Sequence, residues 1–377
     1  MKAIEAFSRQ SYGGRAIVAS LALGTLLSFG LASRASERAE AASLRVEATS
    51  TTLDWNAVAQ AAGRIFVSGP RWTGFPGPSV ALLEPGNRLR PFPDRAWNDW
   101  KPGLDARRKF VNVNALHVDA EGKLWVVDTG TPQFGGPPVA GGAKLVRLDA
   151  GTGEVIRIYL LGSEAAPAGT YIDDIRFNGA HAYLTDAGTG ALLVLDIESG
   201  RCRRVLAGHP AVMARADRPI VIDGRILRDG KGQPLRINVD PLEVSPDGKV
   251  LYFGPLEGPW SQVPTAALDD ASLPSERLAA QVTPWADLPP IGGSTMDPEG
   301  RLYFAALKDN TVYRRERDGR IVALLTDPRL HWADAPILIE NRALWLPAAQ
   351  LDRLPQFNLG KSAIQLPFAL VSLKIAP

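Results

Sequence analysis

The chain has 377 residues, 45% of them apolar and 22% charged, with 36 glycines, 30 prolines and a formal charge of +2. This composition suits a chain that buries a large core through many turns, and it excludes a disordered or collagen-like one. Residues 1–41 hold five Lys/Arg and three Asp/Glu, so the remainder is formally neutral and lacks the basic excess that attracts nucleic acid.

The N-terminus carries Lys2, Arg9 and Arg15, then an uncharged stretch from Ala16 to Ala32, then small residues around Ala39-Glu40-Ala41. That order predicts an export signal over 1–41, a secreted or periplasmic protein, and no membrane span after cleavage. The domain proper is expected over 42–377. Cys202 is the single cysteine, which excludes an internal disulfide. It is expected in an outer strand, although Arg201 and Arg203 are neighbours of the kind that lower a thiol pKa.

From Gly63 onward a short cassette recurs: a turn residue, often a basic one, then alternating apolar and aromatic positions. Its copies run Gly63–Val67, Gly122–Val126, His181–Leu184, Gly248–Phe253, Gly300–Phe304 and Asn341–Leu346. The aromatic falls at 66, 125, 183, 252, 303 and 345, at intervals of 59, 58, 69, 51 and 42 residues. Six copies at this spacing predict an all-β, six-bladed β-propeller with four-stranded blades. Two blades read as complete: strands at 111–119, 124–128, 144–149 and 155–160, then 174–178, 182–186, 191–196 and 202–206. The one helix signal is at 272–280. The last blade is a strand short after Leu346, apart from 368–375. A strand from the mature N-terminus, near 44–48, is expected to complete it and close the ring.

In a propeller the innermost strand of each blade lines the channel, and the residue just before it sits at one mouth. Counting back from each cassette places Asn114, Asp173, Asp240, Gly292 and Asp334 there, with Trp55 or Asn56 in the first blade. Converging carboxylates repel unless a cation, a proton or an arginine intervenes. The set is therefore a candidate ligand site, with Asn114, Asp173 and Asp240 the candidate ligands of Ca²⁺ or another divalent cation. The alternative is that these residues only satisfy backbone groups at strand starts. His117 is a candidate ligand-binding residue and base, or a packed strand histidine. The histidines lack zinc-site spacing, and no nucleophile elbow, phosphate loop or Cys-x-x-Cys motif is present. Glu257 is expected in a loop. Trp72, Trp97, Trp100, Trp260 and Trp332 are also placed in loops, where tryptophan faces an aromatic or cationic ligand or packs over a blade.

Gly69-Pro70-Arg71-Trp72-Thr73-Gly74-Phe75-Pro76, Lys123-Leu124-Trp125-Val126-Val127-Asp128-Thr129-Gly130, Ala182–Asp186, Leu242–Phe253, Leu344-Trp345-Leu346 and Leu354–Phe357 together resemble the major royal jelly protein/Yellow family across about residues 44–375. The resemblance implies a six-bladed propeller. Among that family's insect members are food proteins, a dopachrome-converting enzyme and salivary binders of biogenic amines. The chain departs from the insect pattern in lacking paired cysteines. It is more distantly similar to the regucalcin/gluconolactonase propellers, whose metal site uses a Glu, two Asn and an Asp at channel-mouth positions. Asn114 and Asp240 match by register, Asp173 stands where the second Asn would be, and the Glu has no counterpart.

Two functions follow as expectations. One is binding of an aromatic, amine or sugar-like small molecule in the channel by Asn114, His117, Asp334 and Trp72. The other is a metal-dependent lactone hydrolase in which Asp240 or Asp173 moves the proton.

Overall fold

The computed structural model describes residues 43–375; the expected export segment falls outside them. Six antiparallel four-stranded sheets form the blades. Their innermost strands are Ala57–Ala61, Val113–Val118, Ile172–Asn178, Val239–Val244, Ile291–Met296 and Ile337–Ile339. Each packs on the inner strands of the neighbouring blades. Blade 6 takes its outer strand from the start of the domain: Leu44–Ser50 pairs antiparallel with Phe368–Lys374. This closure removes a long open edge. Among the described residues no helix is long and apolar enough to cross a membrane.

The cassettes occupy equivalent positions. Phe66, Trp125, Tyr183, Tyr252, Tyr303 and Trp345 stand opposite Ala59, His117, Arg176, Glu243, Thr295 and Ile337 of the inner strands. Four of the six aromatics are fully buried between blades; Tyr252 and Trp345 are partly so. The turn before each cassette needs positive φ, which explains Gly122 (φ 74°), Gly248 (72°) and Gly300 (78°), and Asn341 (51°) in the last blade. The expected helix is shorter than its pattern, Ser275–Ala279, and is preceded by another at Thr265–Asp269. Trp260 is not a loop residue: it opens the third strand of blade 4, wholly buried. Cys202 is in the outer strand of blade 3, where burial pushes its thiol up to about 12 despite the flanking arginines.

The longest interval between cassettes has a structural cause. Between Val205 and Val239 the chain leaves blade 3 and makes a small ladder, Val221–Ile222 against Arg225–Ile226. It then returns over one channel mouth. There Leu235 and Ile237 join Tyr171, Leu256, Trp332, Leu351 and Phe357 in one apolar cluster, with Trp72 against its edge.

Buried aspartates aim the inner strands. Asp128, fully buried, accepts from the N–H groups of Val111 (2.8 Å), Asn112 (2.9 Å) and Gly130 (3.0 Å) and pairs with the equally buried Lys144 at 2.6 Å. Asp186 does the same in blade 3, accepting from Tyr171 N–H at 2.8 Å and pairing with Arg204 at 2.7 Å. These are the aspartates of the Val-Val-Asp-Thr-Gly and Leu-Thr-Asp runs, and they fix the chain two or three residues before Asn114 and Asp173. Removing Lys144 leaves a buried carboxylate unpaired. Lys144→Met is expected to lower unfolding stability by about 3–5 kcal/mol in urea titrations; a loss under about 1 kcal/mol would contradict this account of how the strand is held.

Candidate functional site

The inner strands carry two rings of channel-facing residues, three positions apart. One ring is Asn56, Asn114, Asp173, Asp240, Gly292 and Asp334, and all six line a cavity of about 360 Å³ at one mouth. In blades 2 to 5 the strand register shifts at these positions, between Val113 and Ala115, Ile172 and Ile175, Val239 and Leu242, and Ile291 and Ser294. A bulge of this kind re-aims a side chain. Asn56 fills the first-blade position, while Trp55 is fully buried among Leu53, Val58 and Val67. Gly292 leaves room for its neighbour: a Cβ there would stand 3.2 Å from the Asp334 carboxyl carbon.

The second ring is Ala59, His117, Arg176, Glu243, Thr295 and Ile337, which lines the opposite mouth. The expectation that His117 joins the Asn114 site is corrected here. Its Nε2 is 2.6 Å from Arg176 Nη1, and burial together with that guanidinium lowers its pKa to about 3. A lone pair engaged in this way is not available as a base. Arg176 also binds Glu243 through two contacts (2.8 and 3.1 Å), Asp174 at 2.7 Å and the Ser294 carbonyl at 3.0 Å. This satisfied network spans the channel beneath the first ring.

The first ring has no such neutralisation. Asp173, Asp240 and Asp334 converge, with Asp54 behind them, and among the described residues no Lys or Arg hydrogen-bonds to any of the four. Burial pushes the Asp334 carboxyl up to about 7, although the Ala335 N–H (2.8 Å) and the Trp332 indole N–H (3.2 Å) donate to it. Asp173 is raised by burial and by Asp174 and Asp334; Asp240 by burial and by Asp173 and Asp334. Asp173 and Asp240 are within hydrogen-bonding reach of each other, a geometry that favours a shared proton. Asp54 is raised by burial and by Asp334, and neither of its oxygens has a partner. Oδ1 of Asp240 is likewise buried without one.

A hydrogen-bond chain ties this floor to the roof. The Trp72 indole N–H donates to Tyr171 OH (2.8 Å), Tyr171 donates to Asn114 Oδ1 (2.8 Å), and Asn114 Nδ2 donates to Asp173 Oδ1 (2.7 Å). Above the floor stand Trp72, Phe134, Tyr171, Trp332 and Phe357. Trp72 meets Phe134 edge-on at 5.1 Å, and Phe134 meets Phe357 at 5.2 Å. Trp97 and Trp100 are buried elsewhere; Arg71 lies over the Trp100 ring at 5.5 Å.

Sequence reasoning did not single out Asp54, Tyr171, Phe134 or Phe357. Tyr171 stands two residues before Asp173, within reach of the same counting; Phe134 carries no signal and Phe357 only that of the family resemblance at Leu354–Phe357, because only the fold brings their loops over the mouth. Glu257 is in a loop as expected, but it is buried, and burial pushes its carboxyl up to about 7.

As a divalent-cation site the set is incomplete. Asp173 and Asp240 offer hard oxygens, one of them unpartnered. The Asn114 oxygen already accepts from Tyr171 and, at 3.3 Å, from Asn56 Nδ2. Among the described residues no three His, Cys, Asp or Glu side chains gather at metal-binding distances.

Fold and site define a six-bladed propeller with a roofed acidic cavity at one mouth. The family model described as major royal jelly protein matches residues 111–323, more than half of the chain; the chain belongs to that family. No curated protein matches it in sequence. Among solved structures it is similar to a gluconolactonase from Xanthomonas campestris, with TM-score 0.53 and 13% identity over 89% of this chain and 90% of that one. It is also similar to regucalcin, a calcium-binding protein from Agrobacterium tumefaciens, with TM-score 0.51 and 15% identity over 89% and 96%. At these identities the likeness establishes the fold alone.

The raised carboxyls set a pH dependence. Between an ordinary aspartate value near 4 and the folded value of about 7, the native state holds protons that the unfolded chain has released. Stability is therefore greatest at the acid end of that window and falls as pH rises to about 7, with a slope of up to about 1.4 kcal/mol per pH unit per group. Urea midpoints measured at pH 5 and pH 7.5 are expected to fall between the two, and Asp334→Asn to reduce the drop. Asp54, Asp173, Asp240 and Glu257 are raised as well and act in the same direction, so some slope persists in that variant. Stability that rises over this range in both proteins would refute the assignment.

Proposed function

We propose that the chain is an exported binding protein that holds a small molecule with a protonated nitrogen and an aromatic or other apolar body in the roofed channel mouth. One observation carries the reading: Asp173, Asp240 and Asp334 converge beneath an aromatic roof with no basic partner among the described residues. A ligand cation supplies the missing charge, drawing the carboxyls into their ionised form. Trp72, Phe134 and Trp332 offer faces to the ligand body and to the cation itself. Asn114, locked between Tyr171 and Asp173, orients the acceptor. The network around Arg176 closes the floor, so the ligand enters and leaves by one mouth. Export is supported by the order of charge and apolarity in residues 1–41.

Thermal unfolding with a panel of aryl-alkyl amines, catecholamines and neutral sugars tests this. A bound amine at 100 times its Kd is expected to add about 2.7 kcal/mol of stability. Its affinity rises with pH through about 7 as Asp334 ionises. Asp240→Asn with Asp334→Asn abolishes the shift while the protein remains folded. A flat response to every amine, or equal shifts from neutral analogues, would sink the proposal.

A second reading is a lactone hydrolase using a divalent cation on Asp173 and Asp240, with one of them moving the proton. It is favoured by the unpartnered Oδ1 of Asp240 beside Asp173, and it requires Asn114 to release Tyr171. Such a cation would polarise a carbonyl when bound. Melting with EDTA and then with Ca²⁺, Mg²⁺ or Mn²⁺ separates the two: the hydrolase reading needs a metal-dependent rise that Asp240→Ala removes, followed by turnover of a lactone.

A further inference from the structure

The cavity that holds the acidic floor also has one basic side chain in its lining, Arg236. It sits on the returning arm of the insertion between blades 3 and 4. Its neighbours Leu235 and Ile237 are buried in the apolar roof, while Arg236 is exposed at the rim. The arm is pinned on both sides: Leu235 N–H donates to the Leu227 carbonyl at 2.9 Å, and Asn238 N–H to the Ala187 carbonyl at 3.0 Å. The guanidinium is therefore carried on fixed backbone. Among the described residues it makes no hydrogen bond or ion pair. The acidic group that registers its field is Glu257, which burial holds up to about 7.

Arg236 precedes Asp240 by four residues, so the two Cα atoms are no more than about 14 Å apart. One cavity thus presents acid without a basic partner at its floor and, at its rim, a guanidinium that no described residue hydrogen-bonds. If Arg236 served to neutralise the floor it would pair with it, yet Asp334 stays raised and Asp240 keeps an unpartnered oxygen. A ligand with one positive end satisfies only half of this arrangement. The planar fork of arginine matches a carboxylate with two parallel hydrogen bonds.

Resting on the cation-binding reading above, we infer that the ligand is zwitterionic, an aromatic amino acid or a close relative, with its ammonium on the Asp173–Asp240–Asp334 floor and its carboxylate on Arg236. The aromatic body then lies under Trp72, Phe134 and Phe357. Arg236 is in this account the residue that separates an amino acid from the corresponding amine.

Matched pairs test this directly. Titration calorimetry on the full domain compares tyrosine with tyramine and tryptophan with tryptamine, which differ only in the carboxylate. The methyl esters keep the cation and remove the anion. The amino acids are expected to bind at least about tenfold tighter than the amines, a difference of about 1.4 kcal/mol, with the esters falling back to the amine level. In Arg236→Ala the paired affinities converge; in Arg236→Lys part of the difference returns. An amine that binds as tightly as its amino acid, or a ratio untouched by Arg236→Ala, overturns the inference and leaves the cation-binding reading standing. No binding by any of the four compounds at millimolar concentration overturns both.

Discussion

Each blade is a sheet with two apolar faces, and a four-stranded sheet of this kind is covered only by another blade. The ring must therefore close, and closure depends on the pairing of Leu44–Ser50 with Phe368–Lys374. Everything at the channel follows from it. The six inner strands point at one axis only because the sixth blade meets the first. Residues from Asn56 to Asp334 then line one cavity although nearly three hundred residues of chain separate them.

The channel contains the same kinds of charge at two levels, with opposite outcomes. In the lower ring Arg176 gathers Asp174, Glu243 and His117 into one hydrogen-bonded group. Such a group resists removal of any one member, and it links the inner strands of blades 2 to 5. In the upper ring the acids have one another with amide and indole donors, and no basic partner among the described residues. Burial makes that arrangement costly in the ionised state. The fold tolerates it because the bulges and the buried aspartates Asp128 and Asp186 hold the strand starts in place. A site that is strained electrostatically but rigid in its backbone is well suited to recognising charge.

The roof explains why this propeller differs from a bare ring. Trp72, Phe134, the Leu235–Ile237 arm and Phe357 come from four separate loops, and they meet over the acidic floor. They restrict solvent above the carboxyls, which strengthens any ionic contact made there. They also place Arg236 in the lining of the same cavity as the acids.

Sequence alone determined the blade count, the closing strand and the mouth register, because strand alternation and the turn before each cassette are local and repeat six times. That is why Asn114, Asp173, Asp240 and Asp334 could be found by counting. The same counting does not tell that a residue three positions on belongs to another ring facing the other mouth, and so it groups His117 with Asn114. Trp260 reads as loop in the sequence because a tryptophan after Gly-Pro fits a loop or a strand start equally. Only the tertiary structure decided which acids are neutralised and which are not. That depends on whether an arginine from another blade reaches them, as Arg176 does for Glu243 and, among the described residues, none does for Asp240. The channel's charge is a property of six strands meeting, and no single stretch of sequence contains it.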